Sequence, residues 1–146
     1  MHIIRNANDE DTSQICFLLD QLGYNQDSVQ FLQIYENCLR SGIYNCLVAE
    51  EETKIIAIGV FIIYPLFYKN FNHCSLEVLV VDIEYRNRRI GTEMIKKVEE
   101  IAKEKNCSSI SLISNMHRDK KVHEFYLRNG YNNKGSSAQL YLKKRL

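Results

Sequence analysis

Chemistry concentrates between Tyr85 and Thr92, where Arg86, Arg88 and Arg89 crowd Gly91 at the start of an apolar-periodic segment. The run Leu76-Glu77-Val78-Leu79-Val80-Val81 before it reads as a strand. After it, Ile90, Met94, Ile95, Val98, Ile101 and Ala102 recur at helical spacing. A helix start exposes unpaired backbone N–H groups and the positive end of the macrodipole. Three cations there oppose the dipole, and a bound polyanion removes the conflict. Gly91 has no Cβ, so ligand and backbone can approach closely. The plainer alternative is three solvated arginines with Asn87 as N-cap. Neither GxxxxGK[ST] nor GxGxxG is present, so the segment is not a P-loop or a dinucleotide fingerprint.

The elements that must position this loop can be read on either side of it. Ile3 to Asn6 suits a short strand. Asp9 to Leu22 suits a helix capped by Asp9, Asp11 or Thr12, with Ile15, Leu18, Leu19 and Leu22 as its apolar stripe and Gly23 as its stop. Gln26 to Arg40 predicts a second helix with Val29, Leu32, Tyr35 or Glu36, and Leu39 at helical spacing, ended by Gly42. Tyr44 to Glu50 and Lys54 to Tyr64 predict a hairpin around the turn Glu50-Glu51-Glu52-Thr53. His73 to Val81 is a further strand, and the periodic helix beginning at Ile90 runs to Asn106. Ser109 to Ile113 predicts a strand, Asp119 to Arg128 a helix ended by Gly130, and Ala138 to Lys143 a last strand. The order β-α-α-β-β-β-α-β-α-β mixes strands and helices without strict alternation. An α+β fold around a mixed sheet is expected.

Composition narrows the partners. The 146 residues, 45% apolar and 25% charged, suit a single domain spanning 1–146 with its own core. No apolar run approaches membrane-spanning length, and Met1-His2-Ile3-Ile4-Arg5-Asn6 lacks a secretory leader, so a cytoplasmic protein without membrane partners is expected. Cys16, Cys38, Cys46, Cys74 and Cys107 are scattered and never form a CxxC pair, which suits reduced, mostly buried thiols. His73 and His117 show no ligand spacing, and no metal is implied. Residues 1–60 carry a net charge of −6 and residues 61–146 a net charge of +7. One half thus suits a cation and the other an anion, although on charge alone two ordinary solvated surfaces are the favoured reading.

The stretch from Leu76 to Thr92 resembles the central strand and (Arg/Gln)-x-x-Gly-x-(Gly/Ala) loop of the GNAT superfamily of acetyltransferases. A second motif, His123-Glu124-Phe125-Tyr126-Leu127-Arg128-Asn129-Gly130-Tyr131, is similar to that family's FYxxxG(F/Y) helix end, and the order of elements matches along essentially the whole chain. One departure is Arg89, which stands where the loop usually has its first glycine. The resemblance implies a GNAT-like, mainly antiparallel mixed sheet flanked by helices, with acetyl-CoA as acyl-donor co-substrate and no metal. It also implies that the amides of Arg88, Arg89, Ile90, Gly91 and Thr92 cradle the pyrophosphate, with Arg86 or Asn87 at its rim. Leu79, Val80 and Val81 would pair with the pantetheine arm as with an added strand. Asn115 is a further pantetheine candidate, and Arg118, Lys120 and Lys121 are placed to meet the adenosine phosphates.

Acetyl transfer to an amine requires the neutral amine, although an alkylamine has a pKa of roughly 10. Glu77 is the base candidate: it is an acid inside an otherwise apolar strand, at a position where many GNAT enzymes carry glutamate. On strict alternation it shares a face with Leu79 and Val81, which suits a carboxylate only if a bulge or pocket receives it. A glutamate on the solvated face of the strand is the structural alternative. Tyr126 is the candidate donor to the departing thiolate, or else a core aromatic one helical turn from Val122. His123, in the same motif, is a proton relay or a packed histidine.

The acceptor site is expected opposite the CoA arm, from the first two helices, the Gly42 region and Pro65 to Asn72. A small cationic amine would then meet the acidic half. The readings kept beside it are a protein or peptide N-acetyltransferase, a catalytically silent acyl-CoA-binding sensor, and a toxin-like transferase acting on aminoacyl-tRNA. No extended basic stripe with stacking aromatics supports a nucleic-acid partner. A homodimer through the last strand is compatible with the pattern.

Overall fold

The computed structural model describes residues 1–114, 119–135 and 140–146. These fall into two compact units, Met1–Ile113 and Ser114–Leu146. In the first, β1 (His2–Asn6), α1 (Thr12–Asp20), α2 (Ser28–Arg40), β2 (Tyr44–Glu51), β3 (Lys54–Pro65), β4 (Asn72–Val81), α3 (Ile90–Glu104) and β5 (Cys107–Leu112) follow in order. The strands lie in chain order β1-β2-β3-β4-β5. The first four pair antiparallel, and β4 and β5 run parallel. Parallel neighbours need a crossover connection, which α3 supplies.

Helices cover both faces. On one, Ile15, Leu18, Phe31 and Tyr35 of α1 and α2 close over Val48, Ile55, Ile58 and Val80. On the other lies α3, whose Ile90, Met94, Ile95, Val98 and Ala102 are all buried, as its periodicity predicts. Burial contributes roughly 2 kcal/mol for each large aliphatic side chain. Gly59 of β3 makes the close approach possible, since a Cβ there would stand 3.2 Å from Met94 Cε.

Several local expectations are corrected. The first helix starts with a 3-10 turn, Asp9–Asp11, capped by Asn8: its side chain accepts from the Glu10 amide while Asp11 accepts from the Asn8 amide. The cap therefore lies one residue before Asp9, the first of the three candidates, and α1 stops at Asp20. In α2 the buried residues are Phe31 and Tyr35, whereas Val29 is 77% exposed. Apolar residues lie on more than one face of this helix, and the large aromatics take the core.

The second unit contains α4 (Lys120–Arg128), capped by Asp119, whose carboxylate accepts from the Lys121 amide. Of the expected last strand, residues 138 and 139 lie outside the described residues, and 140–143 form no strand. Leu140, Tyr141 and Leu142 are exposed.

Candidate active site

Two features converge at the end of β4. The β4–β5 ladder closes with Leu76 opposite Leu112, and no described residue of β5 pairs with Glu77 to Val81. On the other side Leu79, Val80 and Val81 remain registered with Gly59, Ile58 and Ala57. In such a strand alternate residues turn their N–H and C=O groups away from the paired neighbour. The Leu79–Val81 segment therefore offers backbone donors and acceptors at the place where the two parallel strands part, with Val81 O already accepting from Arg86 Nε.

Next along the chain, Asp82 anchors the loop. It is 2% exposed. Its amide donates to Ile56 O at 2.8 Å. Its carboxylate accepts from the Glu84 amide at 3.1 Å and from Gln21 at 3.4 Å, and pairs with Lys54 Nζ at 3.0 Å. Gln21 also accepts from the Ile83 amide at 3.0 Å. Burial pushes the Asp82 carboxyl up, but Lys54 and these donors outweigh it and hold the group below the usual carboxylate range. A 3-10 turn, Ile83–Tyr85, leads from this anchor into Arg86 to Arg89.

The loop backbone explains its one departure from the family pattern. Asn87 has φ 64° and Arg89 φ 63°, both left-handed. Asn tolerates that region better than most residues, and glycine adopts it without a Cβ clash. Arg89 thus takes the backbone conformation for which glycine is best suited, while serving as the N-cap residue of α3. It makes no side-chain cap. The helices α2 and α4, by contrast, are capped by Asp27 and Asp119. The first amides of α3, at Ile90, Gly91 and Thr92, have no partner within the helix. The three arginines that precede them are exposed, whereas Ile90 is buried. Arg86 itself folds back, its Nε donating to Val81 O at 3.2 Å. The Arg88 guanidinium turns away to the β2–β3 turn, where it meets both carboxylate oxygens of Glu51 at 2.6 and 3.3 Å.

Glu77 occupies a β-bulge. Leu76 pairs with Phe61 and Val78 with Val60, so Glu77 is the extra residue between them. Ser75 and Val78 pair with Ile62 and Val60, which are two apart and share a face. The Glu77 carboxylate accepts from Ser75 Oγ at 2.7 Å and so belongs to that face, opposite the one that strict alternation assigns it with Leu79 and Val81. It is exposed. Along the same face, His73 Nε2 lies 2.7 Å from Ser111 Oγ, and the His73 ring is 5.5 Å from that of Tyr64. Ser111 is the register partner of Ser75. Burial pulls the His73 imidazole below its ordinary pKa, which favours the neutral ring. Sequence reasoning missed Ser75, His73 and Ser111 as a group. The Ser-x-Glu alternation carried a signal for Ser75; nothing local carried one for Ser111, thirty-six residues further on.

Within the second unit, the Tyr126 ring lies 5.3 Å from Phe125 and 6.1 Å from Tyr131, in edge-on geometry. The Tyr131 amide returns to Tyr126 O at 3.1 Å, closing the helix end around Gly130, whose φ is 90°. His123 is half-buried on α4. Asn115, His117 and Arg118 lie outside the described residues. Among the described residues no group of three or more His, Cys, Asp or Glu side chains is placed to hold a metal, and no helix is long and apolar enough to cross a membrane.

Comparison with known proteins agrees with this geometry. The model of the acetyltransferase (GNAT) family matches residues 10–131. Thialysine N-epsilon-acetyltransferase of Bos taurus is 32% identical over 127 residues, covering 75% of this chain and 72% of that one. A GNAT family acetyltransferase of Staphylococcus aureus superposes with a TM-score of 0.82 at 26% identity, over 99% of this chain and 98% of the other. Glucosamine-6-phosphate N-acetyltransferase from Arabidopsis thaliana does so with 0.79 at 25%, over 98% and 99%. The chain belongs to the GNAT family of acetyltransferases.

Proposed function

We propose that this acetyltransferase moves the acetyl group of acetyl-CoA directly to a primary amine in a ternary complex, and that the acceptor is a small cationic amine. The observation that carries the reading is the pairing of the open Leu79–Val81 edge with the uncapped N-terminus of α3, one turn and one loop apart. The open edge suits the amide groups of a pantetheine arm, bound as an added strand. The amides of Arg88 to Thr92, at the positive end of the helix dipole, suit a pyrophosphate, with Arg86 or Asn87 at the rim. Asn115 is kept as a pantetheine contact by resemblance alone.

Glu77, lifted from the ladder by its bulge, takes the ammonium proton directly or through water. The neutral amine attacks the thioester carbonyl, the C–S bond breaks, and the departing thiolate takes a proton from its donor, which the second proton of the attacking nitrogen replaces. Tyr126 is the donor we assign to that last step. The acceptor preference rests on Glu77, on the family relatives whose names specify amine acceptors, and on the acidic first half of the chain. That acidity is partly spent within the fold, since Arg5 pairs with Asp11 and Glu50 at 2.7 Å each.

The test is release of free thiol from acetyl-CoA across a broad amine library. Small cationic amines should turn over ahead of neutral amines and of peptides. Tight CoA binding without release for any amine would replace the enzyme reading with the silent sensor, and preference for peptide N-termini or lysines would replace the acceptor class.

A further inference from the structure

The three arginines of the loop read in sequence as a cationic welcome for phosphate, yet the structure sets Arg88 apart from the others. Its guanidinium is bidentate on Glu51 at the end of β2, with Nη2 to Oε1 at 2.6 Å and Nη1 to Oε2 at 3.3 Å. The same guanidinium lies over the Tyr85 ring, its carbon 5.1 Å from the centroid. Lys54, at the start of β3, packs on that ring too, with Nζ 4.6 Å from the centroid, and pairs with Asp82 at 3.0 Å and Glu84 at 3.4 Å. The β2–β3 turn between Glu51 and Lys54 is tight, with Glu52 at φ 59°. One hairpin turn therefore grips the loop at two points: Glu51 holds Arg88, and Lys54 holds Asp82 and Glu84, with Tyr85 between the two cations. A planar fork on a carboxylate fixes orientation as well as distance, and stacking on an aromatic ring restrains it further.

We propose that Arg88 and Glu51 are positioning residues for the pyrophosphate loop, with the Arg88 side chain serving as a strut to the hairpin turn and not as a phosphate ligand. The inference rests on the acetyl-CoA reading above and deepens it. In this arrangement phosphate recognition falls to the backbone amides at the α3 N-terminus, which are useful only while Asn87 and Arg89 keep their left-handed conformations. The strut lies just between those two residues. It matters for a loop built on two non-glycine residues at positive φ, because each has an extended alternative that relieves its strain.

The two roles for Arg88 predict opposite signs in one variant. If Glu51 competes with phosphate for Arg88, Glu51→Gln frees the cation and tightens CoA binding. If Glu51 positions the loop, the same change weakens it. We expect Glu51→Gln and Arg88→Gln each to raise the Kd for CoA by calorimetry about fivefold, and the double variant to raise it no further than either alone. The KM for acetyl-CoA should rise with them while kcat stays near the wild-type value. The salt dependence of CoA binding should keep its wild-type slope in Arg88→Gln, since a strut carries no phosphate charge, whereas loss of a phosphate ligand flattens it. The swap Glu51→Arg with Arg88→Glu should restore most of the affinity. Circular dichroism and melting of each variant confirm the fold, which a pair outside the buried core should not disturb. Tighter binding in Glu51→Gln, additive effects in the double variant, a flattened slope in Arg88→Gln, or unchanged affinity in both single variants each overturns the proposal. Absence of CoA binding by the wild-type protein is a different result, which overturns the acetyl-CoA reading itself and the inference with it.

Discussion

Replacing Arg89 tests the loop geometry without requiring knowledge of the acceptor. Arg89 sits at φ 63°, ψ 5° at the head of α3 and makes no side-chain cap. Left-handed backbone costs a residue with a Cβ roughly 1–2 kcal/mol, and glycine nothing. Glycine also enlarges the entropy of the unfolded chain, which returns about 0.4–1 kcal/mol. Arg89→Gly should therefore be more stable than Arg89→Ala by roughly 0.5–1 kcal/mol. Comparing these two variants isolates the backbone, because both remove the same cation from the positive end of the helix dipole. Removing that cation should stabilise the ligand-free protein by a further 0.3–1 kcal/mol or so in either variant. For a chain near 150 residues one kcal/mol moves Tm by about 2–4 °C. The expected order in thermal melts without ligand is Gly above Ala, Ala at or slightly above wild type, and Arg89→Val lowest, because a β-branched residue at positive φ is a genuine outlier. A Gly variant melting at or below the Ala variant would refute the claim that Arg89 occupies a glycine conformation, and with it the account of the family departure.

Three other perturbations address the chemistry and the anchor of the fold. Glu77→Gln should lower kcat about 10²-fold or more and flatten the pH–rate profile, with CoA affinity unchanged by calorimetry; a profile like the wild type's leaves water as the base. Tyr126→Phe should lower kcat far more than it weakens CoA binding, and an unchanged kcat removes the donor assignment. Asp11, 5% exposed, is held below the ordinary carboxylate pKa chiefly by its hydrogen bonds from Arg5, against the opposing effect of burial. A depressed folded pKa contributes stability that is present above the unfolded value of about 3.9 and is lost as pH falls through the folded one. Asp11→Asn should therefore cost about 2 kcal/mol in denaturant unfolding at pH 7, with the gap to wild type narrowing below pH 4 or so.

What the sequence made legible about the fold follows the range of the forces involved. α3 is clear because one strong period selects its buried face: Ile90, Met94, Ile95, Val98 and Ala102. The β2–β3 hairpin is clear because its turn interrupts two apolar runs. α2 misleads because Val29, Phe31, Leu32, Ile34, Tyr35 and Leu39 surround the axis, and only the sheet beneath decides that Phe31 and Tyr35 go in. Asn8 escapes notice as a cap because Asp9, Asp11 and Thr12 beside it are equally good candidates in isolation. The choice depends on Asp11 being drawn to Arg5, across a gap that no local pattern reports.

The candidate site divides along the same line, and the division bears on mechanism. Loop and strand were readable because each is contiguous, but what makes them usable is not. The bulge at Glu77 exists only in the pairing with β3, and it keeps the carboxylate with Ser75 while turning Leu79 and Val81 to the opposite face. The left-handed pair Asn87 and Arg89 is held through Arg88 from Glu51, 37 residues earlier, and the loop's entry is held by Gln21, further back still. A motif such as Arg86 to Gly91 therefore names a binding chemistry without supplying its geometry. In this chain the geometry comes from Gln21, Glu51 and Lys54, all within the first sixty residues. The acidic half of the sequence is thus in part the scaffold that shapes the cationic loop, so the charge split between the halves overstates how much acidity is left for an acceptor.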